Sequence, residues 1–169
     1  MFRRMVAVSH SGVWQSGLRG RLVTALGTAL LYYLLALVSY AHAARPSGVV
    51  VVWLPSGLLL GLLLLLDRSL WPYALGGALV GNLGADLQRV GMHWWGFAGA
   101  AVNSVESLFA AWLVRRHVRD RLTFGTVRDV LGFLGLAIAV ANGTTALAGA
   151  LVIARGEFGA LWEGWLHWW

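Results

Sequence analysis

The stretch that decides the fold is WWGFAGAAVNSVESLFAAWLVRR, residues 94–116. It opens on two tryptophans and closes on two arginines, residue types that mark the opposite water interfaces of a membrane helix. The apolar run between them is about as long as a bilayer is thick. Glu106 lies near its midpoint, about 18 Å from Trp94 at the α-helical rise per residue. Because a charge at that depth is costly unless a partner faces it, we expect this helix to lie within a helix bundle.

Asn103 precedes Glu106 by three residues, so the two side chains project from the same side of the helix. Two interpretations of this polar face stay open. It is either a site for a ligand or a proton, or an interhelical polar clamp that only fixes packing.

The composition excludes an ordinary soluble domain. Of the 169 residues, 59% are hydrophobic and only 12% are charged, too few charges for a water-facing surface. All 13 basic residues are arginines, and they cluster at the ends of apolar runs. Membrane topology therefore explains the net charge of +6 better than nucleic-acid binding does. With no cysteine, the chain has no disulfide, thiolate nucleophile or cysteine metal ligand.

Apolar runs along the chain predict an all-α fold, an integral membrane bundle of five transmembrane helices plus the Trp-rich start of a sixth. Residues 1–21 are predicted to be a cytoplasmic N-terminal segment, and residues 22–169 a transmembrane domain. Thr126, followed at the third position by Asp129, resembles a capping box and marks the start of the fifth helix. The five predicted spans are residues 22–40, 49–66, 69–87, 94–116 and about 126–154.

Proline and glycine suggest how these spans bend and pack. Pro55 lies inside the second predicted span, which predicts a kink near Ser56. Gly57 and Gly61 in the same span offer a smooth stripe for close helix contact. The third span has a similarly thin face, formed by Gly76, Gly77, Gly81 and Gly84. In the last segment, helical spacing places three tryptophans on nearly one side, Trp162, Trp165 and Trp169.

The arginines also set the orientation. Ten of the 13 fall in the N-terminal segment, at Arg68 or in residues 115–128, and three fall on the opposite side. The positive-inside rule then places the N-terminus in the cytoplasm.

With each span's direction known, the depths of polar residues in the membrane can be compared. Ser56, Asn82, Asn103, Asn142 and Glu106 then share the outer half of the bilayer or its middle. Polar groups at similar depth on four spans are typical of a pocket or a buried network, since lipid-facing positions would be apolar. We expect these five residues to form a ligand-binding site.

An enzyme is not expected. The five histidines fall in different loops or helix ends, and no helix carries two of them at metal-ligand spacing. No GxSxG, phosphate-binding loop or dinucleotide fingerprint is present. The sequence therefore predicts no catalytic residue, no metal site and no cofactor.

Several blocks resemble the MASE1 domain, a bacterial membrane-associated sensor module. The sequence Trp53-Leu54-Pro55-Ser56-Gly57 before a Leu-rich run is similar to that family's WPPAG-type second span, although Leu54 replaces a proline and should soften the bend. The later matching blocks follow in the same order. They are Gly81-Asn82-Leu83, Asn103-Ser104-Val105-Glu106-Ser107 leading to Ala111-Trp112-Leu113-Val114-Arg115-Arg116, Thr126-Val127-Arg128-Asp129-Val130 and Trp165-Leu166-His167-Trp168-Trp169.

The resemblance implies a multi-pass module of the bacterial inner membrane joined to a cytoplasmic histidine kinase, diguanylate cyclase or phosphodiesterase region. This chain departs from that pattern, since it stops within the sixth span without an output domain. It is therefore open whether the chain signals alone, is a fragment or is a truncated relative. The lipid bilayer, a cytoplasmic kinase or cyclase partner and a second copy of the chain are the partners to consider.

Three functions follow from these observations. The first is a sensory input module in which a ligand or partner in the outer-half polar site changes helix packing. The second is a small membrane carrier in which Glu106 exchanges a proton or binds a cationic solute. The third is a structural membrane subunit whose polar groups only lock the helices together.

Overall fold

The computed structural model describes residues 17–43, 50, 52–91, 94–117, 125–154 and 161–168. Every regular element in these ranges is helical, and none of the described residues lies in a strand. The elements are α1 (Leu18–Ala41), α2 (Leu54–Leu65), a 3-10 turn (Arg68–Leu70), α3 (Trp71–Val90), α4 (Trp94–His117), α5 (Val127–Phe133), a π-helical segment (Leu134–Asn142), α6 (Gly143–Ala154) and α7 (Leu161–Trp168). Most of the predicted N-terminal segment, and Trp169, lie outside the described residues.

Three helical stretches among the described residues are long and apolar enough to cross a bilayer. They are α1 (Leu18–Ala41), most of α4 (Gly96–His117) and the continuous helix from α5 into α6 (Val127–Leu151). The outer surface of α1 is apolar as well, with Leu18, Val23 and Leu26 each about 70% exposed. A helix facing water would carry polar residues at such positions, so this surface suits lipid. The prediction of an all-helical membrane protein is therefore confirmed.

Two predicted helix starts agree with the structure. Helix α4 begins at Trp94 as expected. At the fifth helix, the Thr126 hydroxyl accepts a hydrogen bond from the Asp129 backbone N–H at 3.2 Å, which is the predicted N-cap. From there the chain stays helical through α5, the π-helical segment and α6 to Ala154. The π-helical segment itself was not predicted.

The predictions for the second span were wrong in two respects. Helix α2 begins only at Leu54, so Pro55 lies in its first turn, where a missing N–H breaks no helical hydrogen bond and no kink is required. A Cβ atom added at Gly57 or Gly61 would meet nothing within 4 Å, so these glycines do not form a close helix contact.

Helices α1 and α3 pack closely at two glycines of α3. A Cβ atom at Gly81 would lie 2.5 Å from the Ala29 carbonyl oxygen, and one at Gly77 would collide with the Ala25 carbonyl oxygen. Only glycine allows the two backbones to approach this closely. The predicted thin face of the third span is confirmed at these two positions, whereas a Cβ at Gly76 would meet nothing within 4 Å.

Two hydrophobic clusters fill the bundle. The first joins α1, α2, α3 and α4 around Tyr32, Leu59, Leu63, Ala74, Ala78 and Ala111. The second lies between α4 and the π-helical segment, around Ala110, Leu113, Val114, Ala137 and Ala141. Alanine is frequent on both buried surfaces, so the helices approach closely there.

We expect Gly77→Ala and Gly81→Ala to destabilise the protein by about 1–3 kcal/mol, because the added methyl group would overpack the α1–α3 contact. Thermal unfolding in detergent should show a clearly lower melting temperature for both. Gly76→Ala, on the same helix but in open space, is the matched control and should be neutral or slightly stabilising. Equal effects at Gly76 and Gly81 would contradict the packing described.

Candidate functional site

A polar stripe runs along the buried side of α1. Thr28, Tyr32 and Ser39 are buried at helical spacing together with Ala36, and Tyr32 is only 1% exposed. Sequence reasoning missed this stripe because tyrosines in an apolar run are expected to be core residues. The spacing of Thr28, Tyr32 and Ser39 was the signal that could have revealed it.

Asn82 of α3 is the centre of the polar contacts and is 2% exposed. Its Oδ1 atom accepts hydrogen bonds from the Tyr32 hydroxyl at 3.2 Å and from Asn103 Nδ2 at 3.0 Å. Its Nδ2 atom donates to Asp86 Oδ2 at 2.7 Å. One carboxamide therefore joins α1, α3 and α4.

Asp86 extends this network by one turn along α3. Its Oδ1 atom accepts a hydrogen bond from the Tyr40 hydroxyl of α1. The ring of Tyr40 contacts the Trp53 ring, with centroids 5.2 Å apart, and the Arg89 guanidinium, 4.9 Å from the ring centroid. Trp53, which precedes α2, also donates its indole N–H to the Tyr32 hydroxyl at 3.3 Å.

These contacts share two acceptor residues, Asn82 and Asp86, neighbours on one face of α3. Donors reach them from α1 and α4, and the Trp53 indole joins through Tyr32. We refer to the group as the Asn82 cluster; its members are Tyr32, Tyr40, Trp53, Asn82, Asp86 and Asn103.

The N-terminus of α2 is attached beside the cluster by two serine hydroxyls. Ser39 Oγ accepts a hydrogen bond from the Leu54 backbone N–H at 3.1 Å. Ser107 Oγ lies 3.4 Å from the Ser56 carbonyl oxygen and 3.2 Å from the Asn103 carbonyl oxygen, so it reaches from α4 towards α2. The Ser56 hydroxyl itself is buried and has no hydrogen-bond partner among the described residues.

The structure brings some of the five predicted site residues together, but not all of them. Asn82 and Asn103 bond directly, and Ser56 joins through its carbonyl group. Glu106 is half-buried and close enough to Tyr32 for an electrostatic interaction. Asn142 lies in the π-helical segment, where its carbonyl accepts from Thr145. Among the described residues, the Asn142 side chain makes no hydrogen bond to the Asn82 cluster.

The other end of α4 carries a second polar contact, at Arg115. Its Nη2 atom donates to the carbonyl oxygens of Leu63, Leu64 and Leu66 at 2.9, 3.0 and 2.8 Å. The guanidinium also lies 5.1 Å from the centroid of the Trp71 ring. Arg115 therefore caps the C-terminus of α2, whose last carbonyls have no helical partner.

Helix α4 carries both polar contacts. Asn103 and Arg115 are twelve residues apart in one helix, which corresponds to about 18 Å along its axis. One continuous helix therefore contacts both the Asn82 cluster and the C-terminus of α2.

Comparison with known proteins bears on what this arrangement is for. The family model MASE1 matches residues 24–169, which include the whole Asn82 cluster, and so confirms the resemblance seen in the sequence blocks. No curated protein and no solved structure matches the chain. Since the match covers most of the chain, this protein belongs to the MASE1 family of membrane-associated sensor domains.

Proposed function

We propose that this chain is the sensory input module of a bacterial inner-membrane signalling system, and that its ligand acts at the Asn82 cluster. The observation that carries the proposal is the convergence of donors from α1 and α4 on Asn82 and Asp86. A ligand that competes for these acceptors must loosen contacts between helices. Its binding free energy would then favour a second helix arrangement, as signalling requires.

The path from the site to the opposite end of the bundle is α4. Asn103 bonds within the cluster, and Arg115 on the same helix holds the carbonyls at the end of α2 and stacks on Trp71. We propose that displacement of Asn103 moves Arg115 and so alters the turn between α2 and α3. A cytoplasmic kinase or cyclase region, or a second copy of the chain, would respond to that change.

A membrane topology with five spans would give this signal a direction across the bilayer. We propose five spans: α1, α2, α3, α4 and the continuous helix from α5 to α6. Helix α3 has 20 residues, about the length needed to cross a bilayer, whereas the 12-residue α2 depends on its flanking residues. With the N-terminus in the cytoplasm, the Asn82 cluster lies in the outer half of the membrane and Arg115 at the cytoplasmic end.

A carrier is the second candidate, and the observation that favours it is Glu106, a half-buried carboxyl in a helix able to cross the bilayer. Ionisable groups at such depth often mark proton or cation pathways. A structural subunit would instead need the polar contacts only for packing.

Replacing Asn82 by leucine should lower stability by about 1–3 kcal/mol, because the Tyr32 hydroxyl and the Asn103 amide would lose a buried acceptor. Thermal unfolding in detergent measures the effect. Gln88→Leu is the matched control: Gln88 is on the same helix but exposed, and its hydrogen bond to the Tyr33 hydroxyl is an exposed one. If Gln88→Leu is as damaging as Asn82→Leu, the cluster does not hold the bundle together.

Signalling can be tested by adding a panel of small amines, amino acids and organic acids to the protein in nanodiscs. One compound should raise the melting temperature by about 5 °C or more at a concentration near 100 times its dissociation constant. Because the chain has no cysteine, bimane attached at Leu65→Cys can report on the nearby end of α2. The same compound should change the bimane fluorescence, since tryptophan quenches bimane and Trp71 begins the next helix, α3.

The variant that isolates the relay is Arg115→Gln, which removes the cap on α2 but leaves the Asn82 cluster intact. It should keep the ligand-induced rise in melting temperature and lose at least half of the fluorescence change. An unchanged fluorescence response in Arg115→Gln would contradict the proposed relay. Solute-driven or proton-driven flux in liposomes that Glu106→Gln abolishes would favour a carrier, and no ligand response at all would favour a structural subunit.

Single cysteines can also test the orientation, because Gln88 and Ser69 are exposed near the two predicted faces of the membrane. In intact spheroplasts, a membrane-impermeant maleimide should label Gln88→Cys at once and Ser69→Cys only after permeabilisation. The reverse pattern would place the N-terminus outside the cell and the Asn82 cluster in the inner half of the bilayer.

A further inference from the structure

The long helix after Thr126 changes its hydrogen-bonding pattern in the middle. Residues Leu134–Asn142 form a π-helix, and α-helical residues precede and follow it. Each i→i+5 turn holds one residue more than an i→i+4 turn, so this segment stores extra chain length. Such turns are rare and are frequent at functional sites.

Side chains bond the carbonyl groups at the junction between the π-helical segment and α6. The Thr144 hydroxyl donates to the Val140 carbonyl at 2.6 Å, and the Thr145 hydroxyl to the Ala141 carbonyl at 2.9 Å. These two bonds lie within the helix itself. The next contact comes from outside it: Trp165 of α7 donates its indole N–H to the Gly143 carbonyl at 3.0 Å.

Helix α7 is seated on α6 at one defined position. A Cβ atom at Gly164 would lie 3.3 Å from the Cβ of Ala150, and Trp165 stacks on Trp162 with ring centroids 5.2 Å apart. The indole of Trp165 can reach Gly143 only while α6 keeps its present axial position. If one wide turn became α-helical, α6 would advance by one residue and rotate by roughly 100°, which moves Gly143 away from the indole.

The surroundings of the π-helical segment leave room for such a movement. On one side lies an apolar cleft of about 700 Å³, bordered by Ala139, Val140 and Leu147 from this helix and by Trp162 from α7. On the other side, the segment meets α4 through the small side chains of Ala137 and Ala141. Small side chains lower the steric barrier to rotation, and the cleft provides space for displaced ones.

We propose that Leu134–Asn142 is a two-state register element, π-helical while Trp165 holds the Gly143 carbonyl and α-helical when that hydrogen bond breaks with α7 still beside α6. In the α-helical state Gly149 takes the place of Ala150 opposite Gly164. Because α6 also packs against α4, the switch would change the surface that α6 presents to the bundle. The inference stands whether or not the Asn82 cluster binds a ligand.

Paired cysteines can measure the register directly, since the chain has no cysteine of its own. In the present register, Ala150→Cys with Gly164→Cys should form a disulfide readily. A Cβ atom at residue 164 would lie 3.3 Å from the Cβ of residue 150, close to the usual Cβ–Cβ separation of about 3.5–4.5 Å in disulfides. Gly149→Cys with Gly164→Cys reports the alternative register. The ratio of the two crosslinking rates in native membranes is the quantity to be measured.

Trp165→Phe, which keeps the ring and removes the indole donor, should shift this ratio towards the Gly149 pair by about five-fold, the factor that an ordinary hydrogen bond is worth. Trp162→Phe is the matched control, because it keeps an aromatic ring beside Trp165 and removes an exposed indole N–H that donates to none of the described residues. An unchanged ratio in Trp165→Phe overturns the proposal.

A second variant covers the case in which Trp165→Phe does not accumulate. Deleting Ala139 removes the extra residue of one wide turn, so that turn can become α-helical without moving α6. The protein should therefore stay folded, with Ala150 still opposite Gly164. Gly149 can then no longer take that place, because no extra residue is left in the turn. Crosslinking of the Ala150 pair should then persist. Deleting Ala101 from the wholly α-helical α4 should instead disrupt folding. If the Ala139 deletion disrupts folding as much as the Ala101 deletion, the segment is not a register element.

Discussion

The structure depends on the buried carboxamide of Asn82. Its acceptor is shared by Tyr32 of α1 and Asn103 of α4, and its donor is used by Asp86. Asn82 is only 2% exposed, so separating the helices would cost the hydrogen bonds that satisfy its buried amide. The contact also requires α1 and α3 to be close, which Gly81 permits by having no side chain against the Ala29 carbonyl. The hydrogen bonds of Asn82 and the close packing of α1 on α3 therefore depend on each other.

Polar contacts hold the helices together at two separate ends of the bundle. Polar contacts near the Asn82 cluster join α1, α3 and α4 and hold the start of α2 through Ser39, whereas at the far end Arg115 holds the last carbonyls of α2. Helix α4 takes part in both sets of contacts. One helix without an intervening loop therefore connects the two ends. This property suits a member of a sensor family better than a packing role alone would.

The sequence predicted those features of the fold that depend on the polarity of side chains and on helix capping. It predicted the start of α4, the Thr126 cap and the similar depth of Asn82 and Asn103, because apolar run length and side-chain chemistry determine them. It misplaced the start of α2, and with it the effect of Pro55, since the residues before Leu54 are as apolar as the helix itself. Tyr32 was missed because a phenol is both apolar and a donor. The π-helical segment was missed because polarity does not encode hydrogen-bond register, and the placement of Asn142 depends on that register.

The most direct test is a double-mutant cycle between Asn82 and Asn103. The free energy of unfolding would be measured for Asn82→Ala, Asn103→Ala and the double variant in the same detergent. If the two amides stabilise the bundle through their mutual hydrogen bond, the effects of the single substitutions will not add, and the coupling energy will be about 0.5–2 kcal/mol. Additive effects, with a coupling energy near zero, would show that Asn82 does not join α3 to α4 and would contradict the account.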